Sequence, residues 1–383
     1  MQAPAAMPEA AQRPVPGPVL VTAGGTGGHL FPAEALAAVL AERGIAVHLV
    51  TDRRAARFGG AFTEQTIHVV TSATLRARHP VAMARTAALL GSGLVQAWAL
   101  IGRLRPAAVI GFGGYPTIPP VLAAVWRGVP SLIHEANAVI GRANRLLAPR
   151  VTAIATTFPD MFGAAADLAA KATLTGNPVR AAVAAAAAIP YPAPQDPLRL
   201  LVFGGSQGAR VMADIVPAAV GELDAGSRAR LAVVQQAREE DLPRVRATYA
   251  TLGVAAEIAP FFADLPARLA ASHLVIARSG ASTVAELAAV GRPAILVPLP
   301  HAIDQDQFAN AGVLERAGGA LRIVQDAFTP QRLAAEIASL LAAPQRLAAM
   351  AAAARSIGRL DAADRLADLV LQVAARGAAA RAG

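Results

Sequence analysis

The stretch Leu200-Leu201-Val202-Phe203-Gly204-Gly205-Ser206-Gln207-Gly208-Ala209 decides the fold. A short, continuous apolar run reads as a strand buried on both faces. It passes through a glycine-rich bend into the alanine-rich stretch that begins near Arg210, which reads as a helix. The same order stands near the start of the chain, where Val19 to Ala23 runs into Gly24-Gly25-Thr26-Gly27-Gly28-His29. Strand, glycine turn and helix open a βαβ unit, so the chain holds two of them, each at the head of a half.

Outward from these two points, short β-branched or leucine-rich runs alternate with longer helical ones. Val47 to Val50, Ile67 to Val70, Val109 to Gly111, Ser131 to His134 and Val151 to Ala155 complete the strands of the first half. Arg199 to Phe203, Leu231 to Val234, Leu274 to Ala277, Ala294 to Val297 and Ala320 to Ile323 form the second series. The expected class is α/β, two doubly wound domains with parallel sheets that face each other across a cleft at the carboxyl ends of the strands. We place a disordered tail at 1–18, a first domain at 19–179, a hinge or linker at 180–198 and a second domain at 199–354. The linker rests on Pro190, Pro192, Pro194 and Pro197, which suit neither a helix nor a central strand. A last helix over 355–376, with Leu360, Leu366, Leu369 and Val370 at helical spacing, is expected to pack back on the first domain.

Composition bounds the function. The chain has 383 residues, of which 55% are apolar, 16% are charged and none is cysteine. That excludes a disulfide scaffold, a thiol nucleophile and a cysteine-ligated metal. The formal charge of +9 is carried by arginine, Lys171 being the one lysine, and an arginine excess suits phosphate or an anionic surface. The arginines are scattered and aromatics make up 4%, so no nucleic-acid partner is expected. The tail lacks the apolar core of a secretory signal, which points to the cytoplasm. Thr86 to Gly102 falls short of the ~20 apolar residues of a bilayer span, and Ala107 to Trp126 is broken by glycine and proline, so neither is expected to cross. Leu75 to Arg105 carries an apolar stripe (Met83, Ala87, Leu90, Leu94, Trp98, Ile101) among Arg76, Arg78, Arg85, Arg103 and Arg105. Such a stripe fits a core helix, and with Trp126 it also fits a helix resting on an anionic membrane.

Four constellations carry chemistry. The Gly204 to Ala209 bend points backbone N–H groups and a helix N-terminus at an anion, with Ser206 adding a hydroxyl donor. A plain strand-to-helix turn fits the same residues. Gly24 to His29 lacks both the third glycine of a dinucleotide site and the lysine of a Walker loop, and offers His29 as a proton acceptor near pKa 6.5. In Arg278 to Glu286, Ser282 and Glu286 share a helix face, so the carboxylate can accept two ribose hydroxyl protons while Ser279, Ser282 or Thr283 caps the helix. A capped helix with a solvated glutamate is the alternative. Asp304 and Asp306 form a D-x-D triplet, explained by helix-start carboxylates more readily than by a metal. We expect neither metal nor cofactor.

Gly24 to His29 with Pro32, Gly111-Phe112-Gly113-Gly114-Tyr115, His134-Glu135-Ala136-Asn137, Gly176-Asn177-Pro178-Val179-Arg180, Gly204 to Ala209 and Arg278 to Glu286 follow one another in order. From about Val19 to Val324 the chain resembles the MurG family, bacterial transferases of cell-wall synthesis. The resemblance implies the GT-B fold, two facing Rossmann-like domains. It implies an inverting transfer of N-acetylglucosamine from UDP-N-acetylglucosamine to the C4 hydroxyl of undecaprenyl-diphosphate-linked N-acetylmuramoyl-pentapeptide. It also implies roles in cell-wall biogenesis, cell shape and division, and a peripheral place on the cytoplasmic face of the inner membrane. Carried onto this sequence, it puts Ser206 and Gln207 near the diphosphate, Arg180 near the hinge, the backbone of Phe262 at the uracil, Glu286 on the ribose, and Asp306 and Gln307 on the sugar. Thr26, Gly27, Gly28, His29 and Asn137 join the donor site, and Thr26, His29, Tyr115 and Asn137 line the acceptor side, with His29 as catalytic base. Two positions depart from the family pattern: Ala136 replaces a common glutamine, and Gln235-Gln236 replaces a histidine-glutamine pair. Gln305 competes with Gln307 for the sugar. Three rivals remain: a transferase acting on another lipid, a non-catalytic sugar-nucleotide-binding protein, and a dinucleotide-dependent oxidoreductase.

Overall fold

The computed structural model describes residues 17–24, 27–52, 62, 66–73, 79–193, 196–205, 208–300, 302 and 304–382. Two compact units emerge. The first runs through Ala136 and adds Ile140–Pro178 and Asp361–Gly383; the second comprises Asn137–Val139 and Val179–Leu360.

In the first unit the chain runs β1 (Val19–Thr22), α1 (Gly27–Glu42), β2 (Val47–Thr51), β3 (Ile67–Val69), α2 (Pro80–Leu104), β4 (Ala108–Gly111), α3 (Ile118–Trp126), β5 (Ser131–Glu135), α4 (Arg142–Leu147), β6 (Ala153–Thr156), α5 (Ala166–Ala169) and β7 (Ala172–Leu174). All strand pairs are parallel, in the order β3-β2-β1-β4-β5-β6-β7. Alternation along β1 sends Val19 and Val21 into a cluster with Leu36 and Leu40 of α1, and Leu20 into one with Ile101 of α2 and Val121 of α3. Both faces are covered, which is why the strands read as unbroken apolar runs.

The second unit continues with α6 (Ala181–Ala187), β8 (Leu198–Phe203), α7 (Arg210–Glu222), α8 (Ala225–Ala229), β9 (Leu231–Gln236), α9 (Leu242–Leu252), β10 (Ala255–Ala259), α10 (Leu265–Ala271), β11 (Leu274–Ala277), α11 (Ala281–Val290), β12 (Ala294–Leu296), α12 (Asp306–Arg316), β13 (Ala320–Arg322), α13 (Pro330–Ala342) and α14 (Pro344–Ser356). Its sheet is again parallel, in the order β10-β9-β8-β11-β12-β13. Leu198, Leu200 and Val202 meet Met212 and Val216 of α7, Val245 and Tyr249 of α9, and Leu333 and Ile337 of α13 in one core. In each sheet the order reverses beside the first strand of its series, β1 or β8, the switch point at whose carboxyl end doubly wound sheets bind their ligands.

Several expectations need correction. Two edge strands, β7 and β10, were not anticipated. The helix expected over 355–376 is divided: α14 ends at Ser356 and α15 (Ala362–Ala382) begins after a break. α15 packs on the first unit, placing Leu366, Val370 and Val373 beside Val19 and Leu36 and joining Asp364 and Asp368 to Arg43. The stretch 180–198 is not a free linker. It contains α6, ends in β8, and is tied to the second unit where Tyr191 donates to the His273 carbonyl (2.9 Å) and Arg292 reaches the Ile189 and Pro190 carbonyls. Residues 1–16 of the expected tail lie outside the described residues, whereas Pro18 accepts the Ala107 N–H at 2.9 Å.

The apolar part of α2 is longer than the Thr86 to Gly102 stretch expected to fall short of a span. Met83–Leu104 is long and apolar enough, by length and composition alone, to cross a membrane. It packs one side on the sheet through Ala97, Leu100 and Ile101 and exposes Met83, Val95 and Trp98. Arg76 and Arg78 lie outside the described residues. Ala107 to Trp126, the other uncharged stretch, folds as β4, a 3-10 turn and α3.

Candidate active site

In the first unit the loops leaving β1 and β4 touch. A Cβ on Gly24 would stand 3.1 Å from Cδ of Pro116 and 3.3 Å from Cα of Gly114, so a side chain there would push the loops apart. His29 sits in the first turn of α1 rather than on a free turn. Its imidazole rests on the glycine pair: a Cβ on Gly113 would lie 3.2 Å from Nε2, and one on Gly114 3.5 Å from Nδ1. Both glycines also have positive φ, +91° and +79°, which L side chains avoid. Tyr115 follows them, half-buried, at the start of a 3-10 turn. Gly27, Gly28, His29 and Tyr115 therefore share one end of the sheet, while Thr26 lies outside the described residues. Burial pushes the His29 pKa down to about 4 instead of the 6.5 expected from sequence, so the ring is neutral and keeps a lone pair at physiological pH.

Beside this end, β5 delivers polar groups into the interior. His134 is fully buried, with Nε2 3.0 Å from the Gly176 carbonyl. A carbonyl there requires the proton on Nε2 and leaves Nδ1 bare. Burial, opposed by this bond, brings its pKa to about 4. Glu135 accepts the Gly141 N–H and the Asn144 Nδ2–H, each at 2.9 Å, and Asn144 also donates to the His134 carbonyl. His134 and Glu135 stood in a sequence motif without a site role, and Asn144 stood in none. Long-range pairing organises them, and no local spacing signals it.

In the second unit the glycine bend closes tightly. A Cβ on Gly204 would stand 2.2 Å from the Ala209 nitrogen, so only glycine fits. Gly205 and Gly208 have φ of +90° and +66°. Ser206 and Gln207 lie outside the described residues. After the adjacent strand β11, α11 starts at Gly280, with no side chain capping it, because the Ser279 hydroxyl donates to the Gln307 carbonyl (2.8 Å) instead. The expected serine or threonine cap is thus replaced, and the helix start stays open.

Glu286 is on the buried side of α11, 6% exposed, which overturns the solvated-glutamate alternative. Burial raises its pKa, and the charge of Arg180, whose Nη2 stands 3.4 Å from Oε1, opposes the rise. Phe262 is buried under the guanidinium of Arg268, 4.3 Å above its ring. Asp306 begins α12 and accepts the Gln307 N–H at 2.8 Å, as a first-turn carboxylate should. No group of three or more histidine, aspartate or glutamate side chains suited to a metal exists among the described residues. Gln307 accepts the Leu299 N–H through Oε1 (3.0 Å), leaving its amide N–H groups for a ligand, whereas Gln305 is exposed in a left-handed cap with φ of 54°.

Of two further residues, Asn310 was missed and Gln236 was named in sequence without a role. Asn310, fully buried, accepts the Ala138 N–H (2.8 Å) and donates to Oδ1 of Asn137 (3.0 Å) and to the Ser279 carbonyl (3.2 Å). Asn137, expected within the first domain, is therefore grouped with the second unit. Gln236 bonds two loops at the end of β9.

With this geometry in view, likeness to known proteins is informative. Residues 19–156 match the glycosyltransferase family 28 N-terminal domain and residues 199–366 its C-terminal domain. A UDP-N-acetylglucosamine--N-acetylmuramyl-(pentapeptide) pyrophosphoryl-undecaprenol N-acetylglucosamine transferase from Rhodopseudomonas palustris strain BisB5 is 65% identical over 359 residues, covering 93% of this chain and 98% of the relative. The like-named protein of strain ATCC BAA-98 / CGA009 is 66% identical over 358 residues, with the same coverage. The crystal structure of Acinetobacter baumannii MurG matches 93% of this chain and 99% of its own, with a TM-score of 0.75 and 29% identity.

The chain belongs to the MurG family.

Two α/β units with parallel sheets are the GT-B architecture of that family, and the fold class expected from sequence holds. Family membership also removes the oxidoreductase rival, whose third glycine is missing from the Gly24–His29 bend.

Proposed function

We propose that this chain is an inverting N-acetylglucosaminyltransferase that converts undecaprenyl-diphosphate-linked N-acetylmuramoyl-pentapeptide to its N-acetylglucosaminylated form. UDP-N-acetylglucosamine is the donor, and the product feeds peptidoglycan synthesis and through it cell shape and division. The observation that carries the reading is the 65% identity, over 93% of the chain, to a relative named for this reaction.

The second unit holds the donor. Phe262 offers its backbone to the uracil, Glu286 accepts the ribose hydroxyl protons beside Arg180, and the bend around Ser206 and Gln207 receives the diphosphate. Asp306 and Gln307 take the sugar hydroxyls, and Asn137, held by Asn310, belongs with them. In the first unit Thr26, His29 and Tyr115 take the acceptor, while Thr26, Gly27, Gly28 and His29 also serve the donor. The C4 oxygen forms its bond to the anomeric carbon as the bond to UDP breaks, and the hydroxyl proton passes to the neutral imidazole of His29. UDP carries away the electron pair, and its growing charge is met by the N–H groups of the bend and the start of α7. Inversion of the α-linked donor gives a β-1,4 bond.

The acceptor is a lipid, and we place the chain on the cytoplasmic face of the inner membrane as a peripheral protein. Supporting this, α2 and α3 expose Met83, Val95, Trp98 and Trp126 together with Arg85, Arg103 and Arg127, and Arg127 lies 4.2 Å over the Trp98 ring. Amphipathic indoles ringed by cations suit an anionic interface.

The test is turnover. The full chain, given UDP-N-acetylglucosamine and a synthetic lipid-linked muramoyl-pentapeptide, should release one UDP per disaccharide product, and UDP-galactose should not substitute. UDP formed without a glycosylated lipid would contradict the reading.

A further inference from the structure

Gln236 closes β9, and its side chain, 7% exposed, spans two loops that the sequence separates widely. Its Oε1 accepts the Gly204 N–H at 3.0 Å, at the point where β8 gives way to the glycine bend. Its Nε2 donates to the Pro260 carbonyl at 3.1 Å, where β10 gives way to the loop carrying Phe262. β9 lies between β8 and β10 in the sheet, so a residue at its carboxyl end is the one placed to reach both neighbours. The main chain reinforces one side, with the Ala237 N–H on the Ala259 carbonyl at 3.1 Å. The link to Gly204 depends on the side chain.

The chemistry of the amide is specific to this task. One contact needs an acceptor and the other a donor on the same short side chain, and a primary amide supplies both without charge. A carboxylate would set an anion against the Pro260 carbonyl, and methionine would fill the space but leave a backbone donor and acceptor unpaired.

We infer that Gln236 is a positioning residue that fixes the spacing between the anion-binding bend and the Phe262 loop, so that a nucleoside diphosphate can engage both at once. This deepens, and rests on, the placement of the donor in the second unit. Gln236 touches no reacting atom. Its effect is confined to ligands long enough to span the two loops: a nucleoside fits one loop alone and gains nothing from their spacing.

The test compares UDP with uridine as competitive inhibitors of the full-length enzyme. In Gln236→Met, the inhibition constant for UDP should rise roughly tenfold, as for the loss of two hydrogen bonds, while that for uridine stays within about twofold. Gln236→Glu should follow the same pattern, and the donor KM should rise more than kcat falls in both variants. If UDP and uridine weaken in parallel, or if neither weakens, the inference fails. If the unsubstituted enzyme binds neither, the donor placement itself has failed, a result distinct from the variant ratio.

Discussion

Arg180 and Glu286 pair at 3.4 Å where the carboxylate is almost wholly removed from water. Burial raises the Glu286 pKa and the arginine only partly opposes it, so the folded state disfavours the ion that the proposed ribose contact requires. For an acid whose folded pKa is raised, stability falls as pH climbs from the unfolded value toward the folded one. Glu286→Gln should therefore keep or raise the melting temperature at neutral pH while raising the donor KM roughly 10- to 100-fold, the range for a hydrogen bond to a charged group. Turnover should change far less, because ribose is held alike in ground and transition states. Calorimetry and steady-state kinetics on one preparation check both halves.

His29→Ala should slow turnover by ~10²- to 10⁴-fold, the usual share of a general base, with little change in donor KM. With the pKa pushed to about 4, the acidic limb of kcat/KM belongs near pH 4 and not near 6.5. Retention of near-normal turnover by the variant would move the base elsewhere.

Acid stability follows from the buried histidines. His134 and His29 take up protons in the folded state only near pH 4, whereas the unfolded chain does so near 6.5. Between those values the unfolded state binds more protons, so stability falls as pH drops from 6.5 toward 4. His134 alone accounts for about 3 kcal/mol of that loss. His134→Gln, which can still donate to Gly176, should flatten the decline by this order, read from urea melts across the window.

Arg292 is 1% exposed and donates to the carbonyls of Leu269, Val290 and Ala270 at 2.9, 2.7 and 2.6 Å. Burial, helped by the nearby Arg355 charge, lowers its pKa to about 10. Arg292→Met fills most of the volume but takes a donor from each of those carbonyls, leaving Leu269 with its Ser272 partners, and should cost about 2–4 kcal/mol in chemical denaturation.

For the membrane face, Trp98→Glu combined with Trp126→Glu should abolish co-sedimentation with anionic liposomes and leave turnover of a detergent-soluble acceptor close to normal. Equal sedimentation of both proteins would remove α2 and α3 from that role.

The strands that were legible, such as Val19–Thr22 and Leu274–Ala277, lie inside parallel sheets covered on both faces, which forces continuous apolar runs. Ala172–Leu174 and Ala255–Ala259 are edge strands partly open to water, the first only three residues long and the second mostly alanine, so no periodicity marks them. At the site, the glycine bends and Glu286 stand in local motifs and could be read. The bond from Asn310 to Asn137 joins residues 173 positions apart, and the span of Gln236 joins Gly204 to Pro260. Only folding brings such partners together, and no short pattern encodes them.

A crystal structure of the chain with UDP decides where the donor sits. Uracil should lie at the Phe262 backbone, ribose on Glu286 and the diphosphate at the bend from Gly204 to Ala209. UDP bound away from Glu286 and that bend would contradict this placement.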